Sequence, residues 1–303
     1  MIGPELKRQL IFLFFLLPSA LLLRPGVLSA QAVDRETELR AEVEFLCDSL
    51  CAGRAFGTAG AQASTLYLLR QLRDAGLRTT VQSFSAGGRI GHNVVAVTQG
   101  WYRRYVVVGA YFDAIGTLDG RIYPGADANA SGVAALLALA RELPACCRGE
   151  VGIVFVAFDG HAADLSGARA FLDGYRNTYP PVLMVNLDLL GSALAPIRPG
   201  RPDYLIALGG ARYRSSIEAA NRGPRLDLAY DYYGSSSFTD VFYRRVSDQR
   251  WFLEAGIPAV MFTSGITLHT NKITDTPATL DFALLDRRIS LISDWIHELL
   301  LSL

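Results

Sequence analysis

Apolar residues fall into short, nearly unbroken runs along most of this chain. They occupy 93–97, 105–110, 151–158, 182–187, 204–208 and 257–262. Runs of this kind predict strands buried on both faces. Between them lie segments whose apolar residues recur at helical spacing. These predict helices over 66–77, stopping at Gly76, and over 133–143, 166–175, 213–221 and 280–300. The alternation predicts an α/β fold, a three-layer α/β/α sandwich around a central, mostly parallel mixed sheet. No internal repeat or low-complexity segment interrupts it. The Pro/Gly/Arg stretch at 196–202 reads as a loop within one domain.

The N-terminus follows a different pattern. Lys7 and Arg8 precede an apolar run from 10 to 23, broken by Pro18, and then Ala30-Gln31-Ala32. A basic start, an apolar stretch shorter than the ~20 residues of a spanning helix and small residues at a cleavage site predict a secretory signal. The expected organisation is a signal peptide at 1–32 and a single domain at 33–303. The expected location is periplasmic or extracellular, with no membrane attachment after cleavage. Export permits disulfides. Cys47 and Cys51, four apart in a segment that reads as helix, and the adjacent Cys146 and Cys147 leave the pairing open.

Composition narrows the partners. Of 303 residues, 29 are Lys or Arg and 29 are Asp or Glu, mixed along the chain. This balance argues against nucleic acid as a ligand. Oligomeric state is not legible.

In open α/β sheets, ligands bind beyond the carboxyl ends of the strands. The polar residues there are Tyr111 and Asp113, Asp159 and His161, Asp188, and, after a longer loop, His269. They are expected around one cleft. Ser131, at a helix start, is expected to cap that helix.

Several landmarks on this scaffold carry a resemblance. They are Ala52-Gly53-Arg54 with Gly57-Thr58, Asn93-Val94-Val95-Ala96, Val106 to Asp113, and Pro124-Gly125-Ala126-Asp127-Ala128-Asn129-Ala130-Ser131-Gly132. Phe155 to Gly160, Asn186-Leu187-Asp188, Ser247-Asp248, Gly256-Ile257-Pro258-Ala259, His269 and Asp275-Thr276-Pro277 follow in order. Together they resemble the zinc-dependent aminopeptidase family that also includes glutamate carboxypeptidase, glutaminyl cyclase and the transferrin receptor. The resemblance spans roughly residues 38–300. It implies two zinc ions sharing a bridging carboxylate, with a Glu as general base.

Position by position, most of that machinery is missing. Tyr111 stands at a His ligand, Ala128 at the bridging Asp, His161 at the general-base Glu and Ala162 at the adjacent ligand Glu. Asp188 and His269 match retained ligands, one for each metal. Asp113 and Asp127 match supporting residues behind the ligands. Asp248 matches an acid near the substrate's end of the cleft, with Gln249 in place of the following His. Trp251 is a candidate lining residue, as are Tyr232, Tyr233 and Phe238. Two doubly charged ions ~3.5 Å apart repel by about 19 kcal/mol at an effective dielectric of ~20, and Ala128 cannot offset that. The expectation is a family member without catalysis or cofactor, a pseudopeptidase whose old cleft binds a peptide or protein. The alternative is an altered enzyme acting on peptide N-termini, with one weakly bound zinc on His161, Asp188 and His269. The ring of His161, without a metal, is expected to bond Asp188 or Asp113.

Overall fold

The computed structural model describes residues 34–303; the signal peptide expected at 1–32 lies outside them. In chain order the elements are α1 (Arg35–Cys47), α2 (Ala59–Asp74), β1 (Arg78–Ala86), β2 (Arg89–Val97), β3 (Arg104–Tyr111), β4 (Gly116–Leu118) and β5 (Arg121–Tyr123). Then come α3 (Ser131–Glu142), β6 (Val151–Phe158), α4 (Ser166–Tyr175), β7 (Pro181–Leu187), β8 (Tyr204–Leu208), α5 (Arg214–Ala220) and β9 (Asp227–Ala229). The chain continues through α6 (Ser236–Arg245), α7 (Gln249–Glu254), β10 (Ala259–Thr263) and α8 (Phe282–Ser302).

Eight strands form the central sheet in the order β1-β2-β6-β3-β7-β10-β8-β9. Strands β6, β3, β7 and β10 are neighbours and all parallel. Strands β1 and β2 on one side, and β8 against β10 on the other, are antiparallel. The apolar runs are near-continuous because both faces are covered. Along β3, Val106, Val108 and Ala110 pack into the cluster containing α1, α2, α3 and α8. Val107 and Tyr111 point the other way, with Phe171 of α4 and Phe252 of α7. Helices α1 and α8 begin on side-chain caps: Asp34 accepts from the Thr37 N–H at 3.0 Å and Asp281 from the Leu284 N–H at 2.9 Å.

The three-layer α/β/α architecture and the mostly parallel mixed sheet are as the sequence implies. Local readings differ at several points. The first predicted helix starts earlier, at Ala59, because Thr58 caps it. Cys51 lies in the turn after α1, and all four cysteines are free. Ser131 is the first residue of α3 and not its cap. Its hydroxyl donates to Asp127 Oδ1 at 3.1 Å and accepts the Leu190 N–H at 3.0 Å, tying α3 to the segment after β7.

Candidate functional site

Parallel order puts the ends of β6, β3, β7 and β10 on one edge of the sheet, and the candidate residues follow from there. Tyr111 closes β3. Asp113 lies two residues on, His161 three residues past β6, and Asp188 directly after β7.

Asp113 organises the loop after β6. Its two oxygens accept the N–H groups of His161, at 2.8 Å, and Ala162, at 3.1 Å. It therefore bonds the His161 backbone, not its ring. The ring turns to Asp248, which precedes α7: Nδ1 lies 3.0 Å from Asp248 Oδ2. This corrects the expected bond to Asp188 or Asp113. The other face of the imidazole lies on Tyr111, ring centroids 3.7 Å apart and planes 17° apart. Gln249 turns inward and accepts from Asn186 Nδ2 at 2.6 Å.

On the far side of Tyr111, a polar knot fixes the segment before α3. Asn129 Nδ2 donates to the carbonyls of Tyr111, at 3.1 Å, and Leu187, at 2.9 Å. Asp127 Oδ1 accepts the Gly191 N–H at 2.8 Å. Asp275 accepts the N–H groups of Asp127, at 2.8 Å, and Ala128, at 3.1 Å. Ala128 is therefore buried and points a methyl group where the resemblance requires a bridging carboxylate. His269 is half-buried on the flank of this knot. Its Nδ1 lies 2.9 Å from the Thr274 hydroxyl. Arg54, wholly buried, donates to the carbonyls of Phe112, Leu46, Pro124 and Gly125, pinning the end of β3 to the knot.

The electrostatics are those of a crowded acid cluster. Burial pushes Asp113 and Asp127 up to about 7 each and Asp159 to about 6. Burial also raises Asp188, against the pull of His161 and the Ser247 hydroxyl. For His161 burial is the largest influence and opposes the charged ring. Asp248, by charge and hydrogen bond, and then Asp188 and Asp113 outweigh it and raise the pKa to about 9. At neutral pH the site holds an imidazolium. Burial and the charges of Asp188, Asp113, Asp248 and Asp127 push the Tyr111 phenol well up, so it stays neutral.

This donor set does not fit two zinc ions. Asp188 Oδ1 and Asp127 Oδ2 are buried without hydrogen-bond partners, as atoms facing a cation would be. The groups that must complete the shells are two methyls, at Ala128 and Ala162, and a neutral phenol. Among the described residues no three His, Cys, Asp or Glu side chains are grouped to hold a metal. His161, Asp188 and His269 thus do not form a ligand set in this arrangement.

Two grooves flank the loop after β6. One, about 300 Å³, is lined by Phe56, Arg89, Ile115, Ala162 and Ala163. The other, about 420 Å³, is lined by Phe84, Ala163, Ser166, Arg169 and Trp251. Both include Ala86 and Ala163, so they adjoin across the end of β1. Trp251 lies between the guanidiniums of Arg169 and Arg250, at 5.1 and 4.6 Å. Tyr232 is buried and accepts the Ile266 N–H at 2.7 Å, Tyr233 donates to the Ala195 carbonyl, and Phe238 packs on Tyr232. These three brace loops and line neither groove. Sequence reasoning missed the pairing of His161 with Asp248 and the role of Asn129. The first had a signal in the resemblance, which already put both His161 and Asp248 at the cleft.

The sequence profile of Peptidase family M28 matches residues 93–296. The uncharacterized protein YfbL of Escherichia coli (strain K12) is 23% identical over 285 residues, covering 84% of this chain and 87% of that protein. A zinc aminopeptidase from Bacillus subtilis, BSAP, superposes with a TM-score of 0.70 at 14% identity, covering 87% of this chain and 94% of that one. Porphyromonas gingivalis glutaminyl cyclase superposes with a TM-score of 0.65 at 17% identity, covering 87% and 98%. At such identities the two structures speak for the fold alone.

Proposed function

Because the chain belongs to peptidase family M28, we propose that it is an exported pseudopeptidase, in which a paired imidazolium stands at the position of the general base beside a metal site that has lost most of its ligands. The observation that carries this reading is the His161 ring itself, bonded to Asp248 and stacked on Tyr111. It supplies one positive charge to the buried carboxylates and covers the floor of the cleft with aromatic surface. No general base faces solvent there, since at neutral pH the residue in that position carries its proton.

Peptide binding then falls to the adjoining grooves at Ala162–Ala163 and Trp251. Their combined mouth joins an alanine-rich floor to a mixed polar wall that holds Arg89 and Arg169 and the acids Asp164 and Asp173, suited to an extended segment with small side chains and polar backbone groups. Two experiments test the reading. Purified chain supplied with zinc is assayed on aminoacyl and dipeptide substrates, with hydrolysis at background expected. N-terminal sequencing of protein recovered outside the cytoplasm is expected to begin between Gln31 and Val33. Strong zinc-dependent hydrolysis, or a membrane-embedded chain that keeps its first residues, would end the corresponding half of the proposal.

A further inference from the structure

The overall balance of charge hides a local surplus. Residues 196–225 hold six arginines against two acids, Asp203 and Glu218. Four of the arginines sit in two loops of nearly mirrored sequence, Arg198-Pro199-Gly200-Arg201 and Arg222-Gly223-Pro224-Arg225. In the first, the Arg201 N–H donates to the Arg198 carbonyl at 3.1 Å, and Gly200 has φ +74°. Proline then glycine at the two central positions, the glycine at positive φ, is the signature of a type II turn. In the second loop, the Asn221 side chain accepts the Leu226 N–H at 2.7 Å and donates to its carbonyl at 2.8 Å. That clamp holds Arg225 at φ +55°, a left-handed conformation non-glycine residues keep only where surrounding contacts impose it. Both loops are built to aim an arginine.

They aim at the same place. Arg201, Arg225, Asp203 and Asp227 line a pocket of about 290 Å³ at the starts of β8 and β9. Its two acids already have partners: Asp203 with Arg287 at 2.6 Å and Asp227 with Arg198 at 2.9 Å. Among the described residues Arg201 and Arg225 have no acid partner, so the pocket carries a surplus of two positive charges. One of its oxygens, Asp227 Oδ2, lies buried in the wall and accepts no hydrogen bond. Because β8 runs antiparallel to β10, this pocket opens on the sheet edge that carries His161 and Asp188. Three strand spacings, about 15 Å, separate the end of β7 from the start of β9.

We propose that this pocket binds a phosphate ester that also carries a hydroxyl group. Two guanidiniums take the phosphate oxygens in pairs, a geometry the planar fork favours. The hydroxyl donates to Asp227 Oδ2 as that carboxylate, buried in the free chain, turns toward the ligand; an anion alone would leave the oxygen unsatisfied. The inference rests on the pocket and is independent of whether the cleft has lost its zinc. The same chemistry exists free in solution, as a polyol phosphate, and on a membrane, as the phosphoglycerol headgroup.

The test uses the purified chain and glycerol 3-phosphate at constant ionic strength. A saturable rise in melting temperature is expected, with none from sodium chloride. Methyl phosphate, which has no alcohol hydroxyl, should bind about tenfold more weakly. The exposed pair R201Q/R225Q should abolish the rise and leave the ligand-free melting temperature unchanged. R201K/R225K should keep only part of it, since lysine retains the charge and not the fork. Cosedimentation with phosphatidylglycerol vesicles, but not phosphatidylcholine vesicles, lost in R201Q/R225Q, would support the pocket and assign the ester to a lipid. Binding of the soluble ester without cosedimentation would support it and assign a free ester. A rise that survives R201Q/R225Q, or that chloride reproduces, overturns the proposal, as does the absence of any rise together with the absence of cosedimentation.

Discussion

The imidazole of His161 lies flat on the phenol ring of Tyr111, 3.7 Å between centroids, while Asp248 holds its Nδ1 at 3.0 Å. A cation over an aromatic face and beside a buried carboxylate is favoured on both counts. Both residues occupy positions where the family resemblance calls for metal machinery. The pair thus joins two substitutions into one arrangement, in which each gives the other a partner.

The account fixes a pH dependence. His161 rises from an ordinary value of ~6.5 to about 9. Its stabilising contribution is full below ~6.5 and is lost as pH rises through about 9. Asp113, Asp127 and Asp159 rise from ~3.9 to about 7, 7 and 6. Their contribution is full below ~4 and is lost as pH rises through about 6 to 7. Both groups act in the same direction, so urea denaturation should show greater stability at pH 5 than at pH 9, with a difference on the order of a few kcal/mol. Equal stability at the two values would contradict the burial argument.

Removing the partner of His161 should release its proton. Asp248→Asn is expected to bring the imidazole below its ordinary value, because burial then acts with less opposition, as read from its ring resonances in an NMR titration. The cost should be about 1–3 kcal/mol. That is less than the ~3–5 kcal/mol for stranding a permanent buried charge, because imidazole can neutralise itself. An unmoved titration would mean that Asp248 does not govern the ring.

Arg54 should matter more to the fold than any residue of the cleft. Four backbone carbonyls from three segments converge on its buried guanidinium. Arg54→Ala leaves those acceptors unpaired and opens a cavity, so a loss of about 3–5 kcal/mol is expected in chemical denaturation. A loss below ~1 kcal/mol would mean that water replaces the side chain freely.

Much of this was legible in the chain because burial writes itself as apolar runs. Strands β6 and β8 and helix α4 have the bounds the pattern implies. Elements at the periphery did not show. Strand β1 is an edge of mostly polar residues, and β9 has three residues. Helix α6 buries only Phe242, so its opening serines read as loop. At the site, the resemblance located Tyr111, Ala128, Asp188 and His269 by position. It did not reveal the His161–Asp248 pair, because the partner lies 87 residues away and ring orientation depends on packing.

Rebuilding the lost ligands tests whether the defect is local. The combined variant Tyr111→His, Ala128→Asp, His161→Glu and Ala162→Glu adds three carboxylates to a cluster where burial already raises the acids. Without zinc it should melt below the parent. Zinc should raise its melting temperature steeply, and partial reversions should respond far less, since a bridged pair needs its bridge and both flanks. If zinc leaves the fourfold variant unchanged, the cleft has been remodelled beyond these positions.

The most direct test is the zinc content of the unmodified chain. Protein purified in the presence of zinc and exchanged into metal-free buffer is weighed by native mass spectrometry and analysed for bound metal. The imidazolium account predicts zinc well below one ion per chain, with no gain on raising the zinc supply. One or two zinc ions retained per chain, and lost on Asp188→Ala, would mean that His161 yields its place to metal, and the central claim would be wrong.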